Sequence, residues 1–292
     1  MKIIKKKHIH RLILLLSIFF IASCELINPP EKTPSFVHIQ AINLSTNVIE
    51  QGTNSSKITD AWVYVDEDII GAFELPATIP ILKTGYHKIT IKPGIQLNGT
   101  AATRSIYPFY NPIELNIQLV EDQILDLGTL TTTYNNNTKF AWKEDFEQAG
   151  ITIDPSSKSD TNIKKITDPN KVFEGNGSGI INLDNIKSIF EGISNVAYTL
   201  PNDGKSVFLE LNFKTNNNII IGLFINYAYN TVQHPVVQLN KTDKWTKIYI
   251  NFTTIAARET TALNYKVFIG AIKDNDVDIA EILIDNIKLV HF

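Results

Sequence analysis

Between Ile113 and Leu119 every second residue is aliphatic, and Glu114, Asn116 and Gln118 stand between them. A two-residue period puts the two sets on opposite sides of an extended chain, which is the signature of a half-buried antiparallel strand. Related patterns run from Phe36 onward, in Phe36–Leu44, Ala61–Val65, His87–Lys92, Ile180–Leu183, Ser206–Thr215, Ile219–Tyr229 and Trp245–Phe252. Val, Ile, Thr, Tyr and Phe dominate the apolar runs, while Asn, Asp, Gly and Pro punctuate them. Helical periodicity of useful length is almost absent. The expected class is all-β.

A chain of 292 residues, 43 % hydrophobic and 20 % charged, is globular in composition and long enough for about two domains. The polar run Asn135-Asn136-Asn137 interrupts the strand pattern, which restarts after it. The boundary is therefore expected at Tyr134–Thr138, between a β-sandwich over 36–134 and a second module over 139–292.

The first 35 residues read differently. Met1–Arg11 is basic, and Leu12–Ala22 is apolar except for Ser17. Eleven residues are too few to cross a hydrocarbon core, which needs about 20, but they match the central stretch of a secretion signal. The tetrad Ile21-Ala22-Ser23-Cys24 resembles the lipobox of bacterial lipoproteins. That resemblance implies cleavage after residue 23 and lipidation (diacylglyceryl, palmitate-type chains) of Cys24, the chain's one cysteine. Two or three acyl chains hold a protein at a bilayer stably, where one does so only marginally. Pro29, Pro30 and Pro34 then make 24–35 a stiff tether. The expected location is the cell envelope, at the outer membrane, with the periplasmic or surface face left open.

Removal of residues 1–23 takes away five of the 27 Lys and Arg and none of the 30 Asp and Glu, so the mature chain carries −8. A mildly acidic surface repels phosphate backbones, so no nucleic-acid partner is expected. It offers no polybasic grip on anionic lipid either, which leaves the lipid as the expected membrane contact.

In the first module, Val63-Tyr64-Val65-Asp66, Ile70-Gly71, Pro76 and Gly85-Tyr86-His87 resemble the PEGA-type, immunoglobulin-like β-sandwich repeat. Glu67 stands where a turn glycine is expected, and the signature tetrapeptide around Pro76–Thr78 is missing. Such modules are accessory domains, so the resemblance implies no reaction. His87 lacks a second His or Cys at metal-ligand spacing and reads as a strand-edge histidine. Tyr107-Pro108-Phe109-Tyr110 either exposes Tyr107 and Tyr110 as a sugar-stacking or protein-contact patch or caps the sandwich.

In the second module, Asp145-Phe146-Glu147, the Gly175–Gly179 turn, the strand from Trp245 to Phe252 and the closing Ile284-Asp285-Asn286-Ile287 resemble the galactose-binding-like jelly roll of many carbohydrate-binding modules. The resemblance implies a glycan ligand and a structural calcium held by Asp285 with Glu144 or Glu147; oxygen ligands suit that hard cation. Strict alternation would place Leu283, Asp285, Ile287 and Leu289 on one face and aim a carboxylate inward. A β-bulge at Asp285-Asn286 would instead turn it outward. Trp245, Tyr227 and Tyr229 are the aromatics that could form a sugar platform, and core packing is the competing reading for Trp245.

No catalysis is expected. Gly175–Gly179 lacks the Lys-Ser/Thr ending of a phosphate loop. Asp274–Asp278 imitates half of a calcium-binding loop but has Ile279 where glycine is required. The four mature histidines have no partners at dyad or metal spacing. The reading is a non-catalytic envelope lipoprotein that binds glycan or another extracytoplasmic ligand. The alternative is a structural component of an outer-membrane complex, with an envelope protein as partner.

Overall fold

The computed structural model describes residues 32–292. The secretion signal, Cys24 and most of the tether lie outside the described residues. Within them the chain is nearly all strand, as its alternation requires; the two helices, α1 (Val48–Gln51) and α2 (Thr253–Arg258), are single turns.

The N-terminal module contains β1 (Ser35–Ile39), β2 (Ala41–Ser45), β3 (Asp60–Val65), β4 (Asp68–Glu74), β5 (Ala77–Ile81), β6 (Gly85–Gln96), β7 (Arg104–Ile106), β8 (Ile113–Leu119), β9 (Ile124–Asp126) and β10 (Thr129–Thr133). A five-stranded sheet runs β4-β3-β6-β7, with β8 also on β6. It packs on the three-stranded sheet β5-β1-β9 through Val37, Ile39, Val63, Val65, Ile79, Ile81, Ile89 and Ile91, all buried. The stretch expected as one strand over Phe36–Leu44 is two. Its buried residues are odd-numbered before Gln40 (Val37, Ile39) and even-numbered after it (Ile42, Leu44), so the chain changes sheet there, and β2 pairs in parallel with β10.

The C-terminal module contains β11 (Lys139–Glu144), β12 (Ile153–Pro155), β13 (Lys164–Ile166), β14 (Ser178–Leu183), β15 (Ile189–Ser194), β16 (Val207–Thr215), β17 (Ile219–Asn226), β18 (Thr231–Leu239), β19 (Thr242–Asn251), β20 (Asn264–Ile272) and β21 (Ala280–His291). It is a jelly-roll sandwich. A six-stranded sheet, β13-β14-β21-β16-β19 with β11 also on β21, faces the five-stranded sheet β12-β15-β20-β17-β18. Leu209, Leu211, Ile221, Leu223, Ile250, Val267, Ile269, Ile282 and Ile284 fill the space between them.

β21 departs from strict alternation. Glu210 pairs with Lys288 but Asn212 with Asp285, so one extra residue is accommodated near Asn286, whose φ is 50°. The bulge hands the core face from Ile284 to Ile287 and Leu289. Asp285 is thus not on one face with Ile287 and Leu289, which corrects the strict-alternation reading. It turns away from the apolar core, as a bulge dictates, yet remains buried at 1 % exposure because the second face is covered as well.

Around Asp285 the cover is the Asp145–Glu147 and Glu174–Gly175 loops with Thr53, and over the rest of this face it is the N-terminal module. Leu44, Ile95, Tyr107, Phe109, Tyr110 and Tyr134 pack against Phe208, Tyr249 and Val290 on the outer face of the six-stranded sheet. Polar groups of this face are paired across the contact. Glu210 accepts hydrogen bonds from the hydroxyls of Tyr107 (2.7 Å) and Tyr134 (2.8 Å). Lys247 Nζ lies 3.2 Å from Glu210 Oε2, an ion-pair contact without hydrogen-bond geometry. Lys288 Nζ donates to the Thr53 carbonyl (2.6 Å), the Lys57 amide to Tyr249 Oη (2.8 Å) and Ser55 Oγ to Asn212 Oδ1 (2.9 Å).

Candidate functional site: a groove on the five-stranded sheet

The outer face of the five-stranded sheet has no module over it. There β15, β20, β17 and β18 form the floor of a groove of about 570 Å³, within the usual range for ligand sites. Two residues per strand period put Ile220 of β17 and Phe268, Gly270 and Ile272 of β20 on the groove side, with Gly222 on the same face beside Phe268, while Ile219, Ile221, Val267 and Ile269 point into the core. Of the two glycines, Gly270 lies in the floor itself. A Cβ on Gly222 would lie 2.2 Å from the His234 carbonyl and 2.7 Å from the Phe268 ring, so that position is fixed by packing. A Cβ on Gly270 would meet nothing closer than 3.8 Å, so its missing side chain is open groove.

One line of polar side chains crosses the floor. Glu191 accepts from Ser156 Oγ (2.6 Å) and from Gln233 Nε2 (2.6 Å), and Gln233 Oε1 accepts from Lys158 Nζ (3.2 Å). At another part of the rim Asp274 accepts from the backbone and side chain of Asn218 and pairs with Lys241 at 3.2 Å. These contacts fix the polar atoms in place while Ile189, Ile220, Pro235 and Ile272 supply apolar surface. The groove can therefore hold an elongated neutral ligand that has both hydroxyl-like and apolar faces.

None of the five aromatics expected as a platform lies here. Tyr107 and Tyr110 are buried between the modules, with Tyr110 Oη 3.1 Å from Tyr249 Oη, so the exposed-patch reading is replaced by the packing one. Burial, and for Tyr107 the adjacent Glu210 carboxylate, push both phenols well above their ordinary pKa. Trp245 is half-buried on the outer side of the six-stranded sheet, its ring 5.3 Å from that of Phe173, and so neither fills the sandwich core nor joins a platform. Tyr227 donates to Glu259 (2.7 Å) at the end of β17, and Tyr229 in the following turn is fully exposed and stands alone. The groove carries no motif, because its lining, drawn mostly from four strands, mixes aliphatic residues with Phe190, Phe268 and scattered polar side chains. Its sequence signal is a glycine in the interior of each of two strands, which marks close approach of a ligand or another chain.

The expected metal ligands are partly brought together. Asp285 and Glu147 line one small cavity of about 220 Å³ with Asp145, Glu174 and Asn286. Glu144 is not among them. One of its oxygens accepts from the Phe146 amide (2.8 Å) and the other from the amide and hydroxyl of Thr152 (both 2.6 Å), so it organises the loop after β11 and lies outside that cavity. Burial raises the pKa of Glu147, but hydrogen bonds from Asn176 and Gly177 outweigh it and hold the carboxyl below its ordinary value. Asp285 goes the other way. Burial, with the Glu174 and Asp145 charges adding to it, lifts it to about 7 against hydrogen bonds from Ser178 Oγ (2.6 Å) and the Asn286 amide (2.7 Å). Among the described residues no three His, Cys, Asp or Glu side chains converge closely enough to grip an ion.

No family model matches this chain, and no curated protein matches it. Solved structures do. A CBM22 xylan-binding domain from Paenibacillus barcinonensis is 13 % identical over 52 % of this chain and 99 % of its own, at a TM-score of 0.37. A family 29 carbohydrate-binding module is 13 % identical over 53 % of this chain and 87 % of its own, at 0.33. The enzymatically active domain of bacteriophage CBA120 tailspike protein 4 is 9 % identical over 58 % of this chain and 26 % of its own, at 0.40. At these values the likeness transfers no residue role and no ligand. The C-terminal module is a jelly roll with one sheet face covered and the other grooved and open.

Proposed function

We propose that the protein is a non-catalytic cell-envelope lipoprotein, anchored through lipidated Cys24 at the outer membrane, whose C-terminal module binds a glycan in the groove on its five-stranded sheet. The observation that carries the binding is the groove itself, an uncovered concave face with apolar walls and a pre-ordered line of Lys158, Gln233 and Glu191. Alternating hydroxyl and C–H faces of a sugar chain match such a lining. The N-terminal module serves in this reading as a PEGA-like spacer.

The test uses the mature chain with Cys24→Ser, titrated calorimetrically with neutral glycans found by array. Binding that is lost in Gln233→Ala and in Gly270→Leu, with melting temperatures unchanged, supports the proposal. An array without hits, together with stable capture of an envelope protein, rejects it in favour of the assembly component. For the anchor, Cys24→Ser in the full precursor should leave the membrane fraction or accumulate uncleaved.

A structural calcium ion belongs to the same proposal, held by Asp285 and Glu147. The donor chemistry suits a hard cation: a buried carboxylate whose charge is opposed by Glu174 and Asp145 gains most from a divalent neighbour. Chelation should lower the melting temperature, and Asp285→Asn should abolish that response. An unchanged melting temperature on chelation removes the ion from the account.

A further inference from the structure

The chain enters the fold at one end of the N-terminal sandwich. Pro34 offers its carbonyl to the Asp122 amide, Ser35 pairs with Ile81, and Phe36 pairs with Ile124. The entering strand is therefore flanked by the turn after β5 on one side and the turn before β9 on the other. Both turns, and the strands that meet them, expose large apolar side chains. Tyr86 is 81 % exposed, Ile124 64 % and Leu82 62 %, and Val120 is exposed too. Gly85 pairs with Leu119, which places Tyr86 and Val120 at this same end.

The opposite end of the module carries the rest of the molecule. β6 starts beside the entering chain at Gly85 and, ten residues on, reaches Ile95 in the contact with the second module. At about 3.3 Å per residue that is a separation of about 33 Å. The second module then presents its six-stranded sheet to the first and its groove to the far side.

We propose that the Leu82, Tyr86, Val120 and Ile124 rim is a second membrane contact, seated on the surface of a bilayer of low charge. The inference rests on the Cys24 anchor. Eleven peptide steps from Cys24 to Ser35 reach at most about 40 Å, so an acylated Cys24 holds this end nearest the bilayer. A tethered surface is met at high effective concentration, so shallow insertion of a few side chains suffices. Tyrosine with aliphatic neighbours is suited to the headgroup boundary. The charges select the lipid. Asp66, Glu67, Asp68, Glu121 and Asp122 surround the rim, and Lys83 is already paired with Asp66 (3.4 Å) and Asp68 (3.0 Å), so anionic headgroups are repelled. The groove is thereby held away from the membrane.

The acyl chains occupy the sole native thiol, so a cysteine introduced elsewhere can be labelled alone. Full-length acylated protein carrying Tyr86→Cys, Ile124→Cys or Tyr229→Cys is labelled with an environment-sensitive dye and reconstituted in phosphatidylcholine vesicles with lipid-borne quencher. The expected result is a blue shift and quenching at 86 and 124, neither at 229, and loss of both signals as phosphatidylglycerol replaces phosphatidylcholine. Equal, weak quenching at all three positions in protein that still floats with the vesicles overturns the seating and leaves the anchor intact. Protein that does not float overturns the anchor and the seating with it. A shift at 86 that follows protein density and ignores the quencher assigns the rim to a second copy of the chain and also overturns the proposal.

Discussion

The two outer faces of the C-terminal sandwich are alike in sequence and opposite in use. Each is a β-sheet surface that mixes aliphatic, aromatic and ionisable side chains. On the six-stranded side Glu210, Asn212, Lys247 and Lys288 are all buried under the N-terminal module, which supplies partners to Glu210, Asn212 and Lys288, while Lys247 faces Glu210 of its own sheet. On the five-stranded side Glu191 and Gln233 hold each other and Lys158 in place beside an open groove. A polar residue at an outward strand position therefore marks either an interface or a binding surface. What separates the two is whether a second element covers the sheet. The first face should respond to substitution through stability, the second through ligand affinity.

Glu210→Ala breaks the comparison on the covered face, and the largest effect is expected there. It strips acceptors from the Tyr107 and Tyr134 hydroxyls and leaves Lys247 without its counter-charge. Removing one partner of a buried ionic cluster costs about 3–5 kcal/mol. Denaturant unfolding should show that loss, and limited proteolysis should begin to cut around Asn135–Thr138. Glycan affinity in the separate groove should stay within twofold. A stability loss below about 1 kcal/mol would mean that water already enters the contact.

On the open face two glycines provide the contrast. Gly222→Ala drives a Cβ against the His234 carbonyl, a backbone atom in the neighbouring strand, and should cost about 1–3 kcal/mol. Gly270→Ala meets only ordinary contacts and should leave stability within about 0.5 kcal/mol while weakening the ligand. Equal effects of the two substitutions on melting temperature and on binding would erase the distinction between a glycine needed for packing and one needed for space.

Much of this was readable from the chain. Two-residue alternation gives the all-β class, and β8 is buried on the parity that Ile113, Leu115, Ile117 and Leu119 set. The switch of parity at Gln40 was present in the sequence too, as Val37 and Ile39 followed by Ile42 and Leu44. What was not readable was cover. Tyr107 and Tyr110 look the same in sequence whether solvent or a second module lies beyond them. The bulge at Asn286 could be named in advance but not decided, because the covered outer face makes burial of Asp285 compatible with either outcome. Trp245 and Tyr229 are conspicuous in the sequence as aromatics, whereas a groove walled by Ile189, Ile220 and Ile272 has residues that any strand core would also use.

The covered face should also show its buried charge in a pH titration. Burial pulls the Lys288 ammonium down to about 7; Glu210 and Glu174 oppose that fall, and Lys247 and Lys143 add to it. In the unfolded chain the same group titrates near 10.4. Between these values the unfolded state holds a proton that the folded state has released, so stability rises with pH, at a limiting slope of about 1.4 kcal/mol per unit. From pH 7 to 9 the gain should be about 2 kcal/mol. Above about 10 the tyrosines reverse it, because Tyr107, Tyr110 and Tyr134 stay protonated in the fold and ionise when it opens. Lys288→Met should flatten the rise between 7 and 9, whatever its effect on stability at a single pH. Lys158→Met, on the open face at the groove, should leave the slope as it is. If both variants keep the wild-type slope, the ammonium at the module contact is as well hydrated as one on the surface, and the two faces of the sandwich differ less in dielectric than in shape.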